Sequence, residues 1–176
     1  MTTTKVDDSQ INENKIGDGS STGGNGSTIG NSVNNSPPRI EYGELDELGR
    51  PTGVRATITE DMIKTGTPAS SSIKPPGFEG GGPGSPGHAR GHLFGNQLGG
   101  SGDDPRNLVT LYQNPTNHPA MSGFEGQVRN AVEGGQTVIY SSTPVYQGDN
   151  LVPTGVTLNA QGSDGFSLDV TVLNRK

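Results

Sequence analysis

At 176 residues, with 27% in the hydrophobic class, 29 Gly and 13 Pro, the chain has room for one domain with a modest core and many turns. The lack of Cys excludes disulfides and thiolate metal sites, and no apolar run approaches the roughly 18 residues of a membrane span. A formal net charge of −6 counts against a protein that grips nucleic acid by phosphate neutralisation alone, and counts less if a bound cation supplies local positive charge.

Residues 1–38 are rich in Gly, Ser, Asn and Thr and end in S-P-P, with almost nothing apolar to bury. They read as a disordered tail or linker, with a folded domain over residues 39–176. The first residues, M-T-T-T-K-V-D-D-S-Q, contain no apolar h-region, so export is expected to use a specialised route or a longer parent chain.

Within the domain, Ile40 and Tyr42, then Val54, Ala56 and Ile58, alternate with polar neighbours around the turn chemistry L-G-R-P-T-G. A hairpin-like pair is expected there. Residues 65–87 are dominated by Gly, Pro and Ser, and so long a run without regular structure predicts a functional surface loop. His88–Phe94 and Asn107–Gln113 read as short strands flanking the loop N-Q-L-G-G-S-G-D-D-P-R. Met121, Phe124, Val128 and Ala131/Val132 make an apolar stripe at helical spacing, which predicts a helix from about Asn117 to Glu133. Thr116 is placed to cap it, Pro119 is tolerable in its first turn, and Gly134–Gly135 ends it. Three strands complete the chain: Thr137–Tyr146, expected to break at Pro144, then Val156–Ala160 and Phe166–Val172, the last two joined by G-S-D-G. The fold class is α+β: an antiparallel sheet, one principal helix and long Gly/Pro-rich loops.

All three histidines, His88, His92 and His118, lie between the loop-rich approach and the end of the helix. Strand, loop, strand, helix, with a His on the first strand and an Asn at the helix start, is the outline of a ββα-metal finger. R-G-H-L at 90–93, N-L-V at 107–109 and N-x-x-x-M-x-x-x-E-x-x-x-R at 117–129 resemble the DNA/RNA non-specific endonucleases of the His-Me finger superfamily. The resemblance implies His92 as general base, with Arg90 and Arg129 on phosphate. It also implies Asn117 as the one side-chain ligand of Mg²⁺ (with Mn²⁺ or Ca²⁺ as alternatives), Glu125 as the acid near the cation, and Asn107 as a polar residue that sets the site. The family's D-R-G-H has Ala89 in the place of its Asp.

Those roles suit the chemistry. An unperturbed His titrates near 6.5, as a base at neutral pH must. Mg²⁺ takes oxygen ligands and keeps several waters, so a single amide oxygen plus substrate can hold it. On one continuous helix Asn117 and Glu125 would lie roughly 12 Å apart along the axis and about 80° around it. Plainer readings stand beside these. Glu125 and Arg129 have the i,i+4 spacing of an exposed ion pair, and Asn117 could be a helix cap. G-G-S-G-D-D-P-R could cradle phosphate or calcium, although a turn is favoured. His88 and His92 are not expected to share a zinc ion, since four strand residues span roughly 13 Å.

The expectation is therefore a Mg²⁺-dependent, sequence-non-specific endonuclease that leaves 5′-phosphate ends. By resemblance it is a secreted or delivered bacterial toxin domain, acting on DNA or RNA and neutralised by an immunity protein. The alternative is a non-catalytic, loop-rich β-domain that binds a protein or a surface.

Overall fold

The structure, a computed structural model, describes residues 38–176; the tail expected over residues 1–38 falls almost entirely outside them. Among the described residues seven strands and one α-helix form: β1 (Ile40–Tyr42), β2 (Val54–Ile58), β3 (His88–His92), β4 (Leu108–Tyr112), α1 (Ser122–Glu133), β5 (Val138–Val145), β6 (Gly155–Gly162) and β7 (Ser167–Leu173). Five strands make one antiparallel sheet in the order β1-β2-β5-β6-β7, and β3 with β4 makes a separate hairpin. Among the described residues no helix is long and apolar enough to cross a membrane.

The two-residue period decides which face of the sheet is covered. Val54, Ala56 and Ile58 on β2, Val138 and Tyr140 on β5, Val156, Leu158 and Ala160 on β6, and Leu168 and Val172 on β7 all point into one core. Helix α1 closes that core with Val128 and Val132, joined by Met121 just before it. At about 25 cal/mol per Å² of apolar surface, each such side chain contributes roughly 1.5–3 kcal/mol. Residues of the finger hairpin and its loop, Leu93, Phe94, Leu98, Val109 and Leu111, are buried in the same cluster. The hairpin is thereby fixed rigidly to the sheet.

Three local expectations are corrected. The α-helix begins at Ser122 rather than Asn117, because a residue before proline is driven into extended backbone. Asn114 (φ −123°, ψ 132°) precedes Pro115, and His118 (φ −141°, ψ 130°) precedes Pro119, so Gln113–Met121 is an irregular turn with a kink at each. Thr116 accordingly caps no helix: its hydroxyl contacts the Leu173 and Arg175 carbonyls and accepts from the Arg175 N–H at 3.0 Å. Nor does Pro144 break β5. Pairing with β2 stops at Ser142, so Pro144 needs no donor on that side and stays opposite Val156 on β6. The expected stop at Gly134–Gly135 is present, with Gly135 at φ 99° where a side chain would be strained.

Candidate active site

The finger hairpin carries two of the expected residues inward. In the register Arg90↔Thr110 and His92↔Leu108, Arg90 and His92 lie on one face of β3. Gly91 between them packs against Leu111, and a Cβ there would overlap that side chain. The glycine of R-G-H is a close-approach residue. The loop joining β3 to β4 is held by Asn107, which is fully buried. Its Oδ1 accepts from Phe94 N–H (2.8 Å), and its Nδ2 donates to the carbonyls of Phe94 (2.9 Å) and Ser101 (2.8 Å). All four hydrogen-bonding positions of that amide but one are used, so Asn107 shapes the site from behind.

Arg90, His92, Asn117 and Glu125 line a single cavity of about 400 Å³, together with His118 and Gln97. One wall is the 65–87 loop, through Pro68 and Ala69. Arg90 fastens that loop, donating from Nε to Ile73 O (2.6 Å) and from Nη2 to Ser71 O (3.2 Å), with its guanidinium 4.4 Å above the Phe78 ring. The opposite wall is the irregular turn before α1.

His92 is largely enclosed, and its Nε2 lies 2.9 Å from the Thr67 carbonyl. A carbonyl only accepts, so Nε2 carries the proton and Nδ1 keeps the lone pair. Burial lowers the pKa of the ring below its ordinary value, against a smaller opposing pull from the Thr67 hydrogen bond. The imidazole is a neutral base with a fixed tautomer.

Glu125 continues the buried stripe Met121, Val128, Val132 of the helix and is only 6% exposed. Gly95 abuts its carboxyl so closely that a Cβ there would collide with it. Burial pushes the carboxyl up to about 8, with the hydrogen bond from Gln97 Nε2 (3.3 Å) acting the other way. The exposed Glu125–Arg129 ion pair does not form. Arg129 instead lies 3.6 Å from Glu133 and donates to Gln97 Oε1 at 3.4 Å, while its buried Nε has no hydrogen-bond partner.

Asn117 donates from Nδ2 to Gln113 Oε1 (3.0 Å), which leaves its Oδ1 without a partner among the described residues. Its relation to Glu125 is not that of one continuous helix, because the extended His118 intervenes. Among the described residues no three His, Asp or Glu side chains group as a metal cage. A single free amide oxygen beside a carboxyl is a hard-oxygen donor set, suited to a cation that retains most of its waters. His88 takes no part: its Nδ1 accepts from Glu79 N–H (3.0 Å), and its ring packs between Phe78 and Tyr112. It cannot stand in for the carboxylate missing at Ala89.

Gln97, Gln113 and His118 were not singled out as site residues by sequence, although His118 Nδ1 lies 2.7 Å from Ser122 Oγ at the cavity. Gln113 lies just past the end of β4, where the irregular turn begins. A larger concavity of about 640 Å³ lies between Glu44 and Arg106, but Asp104 already neutralises that arginine at 2.8 Å, and its other charged lining is acidic. G-G-S-G-D-D-P-R is thus a self-satisfied turn rather than a phosphate cradle.

The chain belongs to the DNA/RNA non-specific endonuclease family, whose pattern matches residues 28–164. Solved structures share its fold. NucA from Streptococcus agalactiae, with a magnesium ion bound, is 24% identical with a TM-score of 0.68, covering 85% of this chain and 78% of that one. Sda1 nuclease with a bound zinc ion is 26% identical with a TM-score of 0.65, covering 77% and 74%. A protein described as an extracellular nuclease is 25% identical with a TM-score of 0.54, covering 78% and 84%. No curated protein matches significantly. Family membership makes the chain a nucleic-acid-hydrolysing enzyme and removes the non-catalytic alternative.

Proposed function

We propose that the chain is a Mg²⁺-dependent endonuclease that cuts the P–O3′ bond of DNA or RNA, with His92 as base and Asn117 as the side chain that holds the cation. The observation that carries this reading is that His92, with Nδ1 unprotonated, Asn117, with Oδ1 unpartnered, and the buried Glu125 line one cavity. When bound, the cation supplies positive charge to the phosphorane and the leaving oxygen.

The chain's own residues do the rest. His92 Nδ1 accepts the proton of the attacking water as the new P–O bond forms, and Thr67 O keeps the ring aimed as it becomes imidazolium. The P–O3′ electron pair leaves with the 3′-oxygen, which takes a proton from solvent, and the 5′-phosphate stays on the other fragment. Arg90 keeps Nη1 and one Nη2 hydrogen for the phosphate, since its Nε and the other Nη2 hydrogen are tied to the loop. Glu125 holds water in the cavity, and Arg129 orients it through Gln97. A divalent ion is supported by the metal-bound relatives; the oxygen-only donors favour Mg²⁺ over zinc.

Likeness to an extracellular nuclease supports action outside the producing cell. The toxin reading, with an immunity protein as partner, belongs to this proposal. Its expected sign is that cytoplasmic expression kills the host unless a neutralising protein is co-expressed. Plasmid cleavage is the direct test. Mg²⁺ should support it and EDTA abolish it, while His92→Ala should lower the rate about 10²–10⁴-fold without changing the melting curve. Cleavage that persists in EDTA overturns the metal-dependent reading.

A further inference from the structure

Resting on the nuclease reading, we infer that the polynucleotide backbone is gripped on both sides of the cavity, by Lys64 and Lys74 on one wall and by Arg175 and Lys176 on the other. The observation is how charge is partitioned in an acidic protein. Remote from the cavity, Arg39 is paired with Asp61 (2.6 Å), Arg50 with Asp46 (2.8 Å) and Arg106 with Asp104 (2.8 Å). Among the described residues, Lys64, Lys74, Arg175 and Lys176 have no carboxylate within 4.0 Å, and all four are exposed. The one other such cation, Arg55, stands opposite Glu41 in the β1–β2 register.

Backbone hydrogen bonds tie Lys64 and Arg175 to residues at or next to the cavity lining, and Lys74 and Lys176 are placed by a bonded neighbour and by a ring contact. Lys64 N–H donates to the carbonyl of Gln97 (2.9 Å), a lining residue. Lys74 follows Ile73, whose carbonyl receives Arg90 Nε. Across the cavity, Arg175 N–H donates to Thr116 Oγ1, next to Asn117. Lys176 Nζ sits 5.7 Å above the Tyr112 ring at the end of β4. A free cation that neutralises a phosphate displaces counterions condensed on the polynucleotide, whereas a cation already held by a carboxylate is not available to do so. A backbone laid across the cavity meets the free set on either side, and these contacts read phosphate rather than base, as a sequence-non-specific enzyme requires.

The test is the salt dependence of binding. The full chain carrying His92→Ala is titrated with a fluorescent DNA duplex across a NaCl series, and log affinity is plotted against log salt. Each phosphate contact contributes about 0.9 to the slope. Adding Lys64→Ala/Lys74→Ala, or Arg175→Ala/Lys176→Ala, should flatten it by roughly two, while Arg39→Gln should leave it unchanged. In the active background the same double variants should raise KM for plasmid and leave kcat alone. Slopes that do not move, or that move equally for Arg39→Gln, overturn the proposal. Plasmid cleavage by the unmodified chain tests the nuclease reading separately, so failure of one is distinguishable from failure of the other.

Discussion

Glu125→Gln isolates the cost of burying an acid in this helix. The carboxyl's folded-state value of about 8 stands above its ordinary 4.5, so the folded protein holds that proton more tightly than the unfolded chain. The stabilising form is therefore the neutral acid. Its contribution is complete below pH 4.5 and is lost progressively until the pH passes about 8. At 1.36 kcal/mol per unit, the loss across that window is on the order of 5 kcal/mol for the metal-free protein. Gln is nearly isosteric, neutral at every pH, and keeps an acceptor for Gln97 Nε2. Urea unfolding in EDTA, followed from acid to pH 8.5, should therefore show wild type losing several kcal/mol more than the variant, with other titrating groups cancelling in the comparison. A nearby cation favours the ionised form, so Mg²⁺ should restore more stability at pH 8.5 in wild type than in Glu125→Gln, which binds the cation through Asn117 alone. Parallel stability curves for the two proteins would refute the burial argument.

Two further outcomes are expected. Because burial lowers the His92 pKa, the base stays neutral as the pH falls, and the acid limb of kcat/KM should have its midpoint below the ordinary value of 6.5; a midpoint at or above it would contradict the assignment. Asn107→Ala removes three hydrogen bonds, two of them buried, from the β3–β4 loop and should cost about 1–3 kcal/mol by denaturant titration, with activity falling as the loop loosens.

Much of this molecule is legible in its sequence where a residue's own chemistry sets the outcome. The alternation on β2 and β7 gave their buried faces, and Gly134–Gly135 ended the helix where glycine would be expected to end it. Glu125 was marked by the spacing motif, but its burial was not, since the i,i+4 spacing to Arg129 suggested an exposed ion pair. What escaped depended on partners distant in sequence or on backbone atoms. The Thr67 carbonyl that fixes the His92 tautomer is an atom any residue would supply, and only the folded loop brings it near. Gln97 matters through Glu125 and Arg129, neither of which lies near it in sequence. The helix start was misplaced because the apolar stripe outweighed the effect of Pro119 on the residue before it.

The most direct test of Asn117 as the cation's side-chain ligand is the Mg²⁺ dependence of plasmid cleavage by wild type, Asn117→Ala and Asn117→Asp, with melting curves alongside. Asn117→Ala should shift the half-saturating Mg²⁺ far upward with little change in melting, since it removes the one side-chain oxygen proposed to hold the cation. Asn117→Asp should retain more activity, keeping an oxygen in place. An unmoved Mg²⁺ half-point in Asn117→Ala would contradict the proposed metal site.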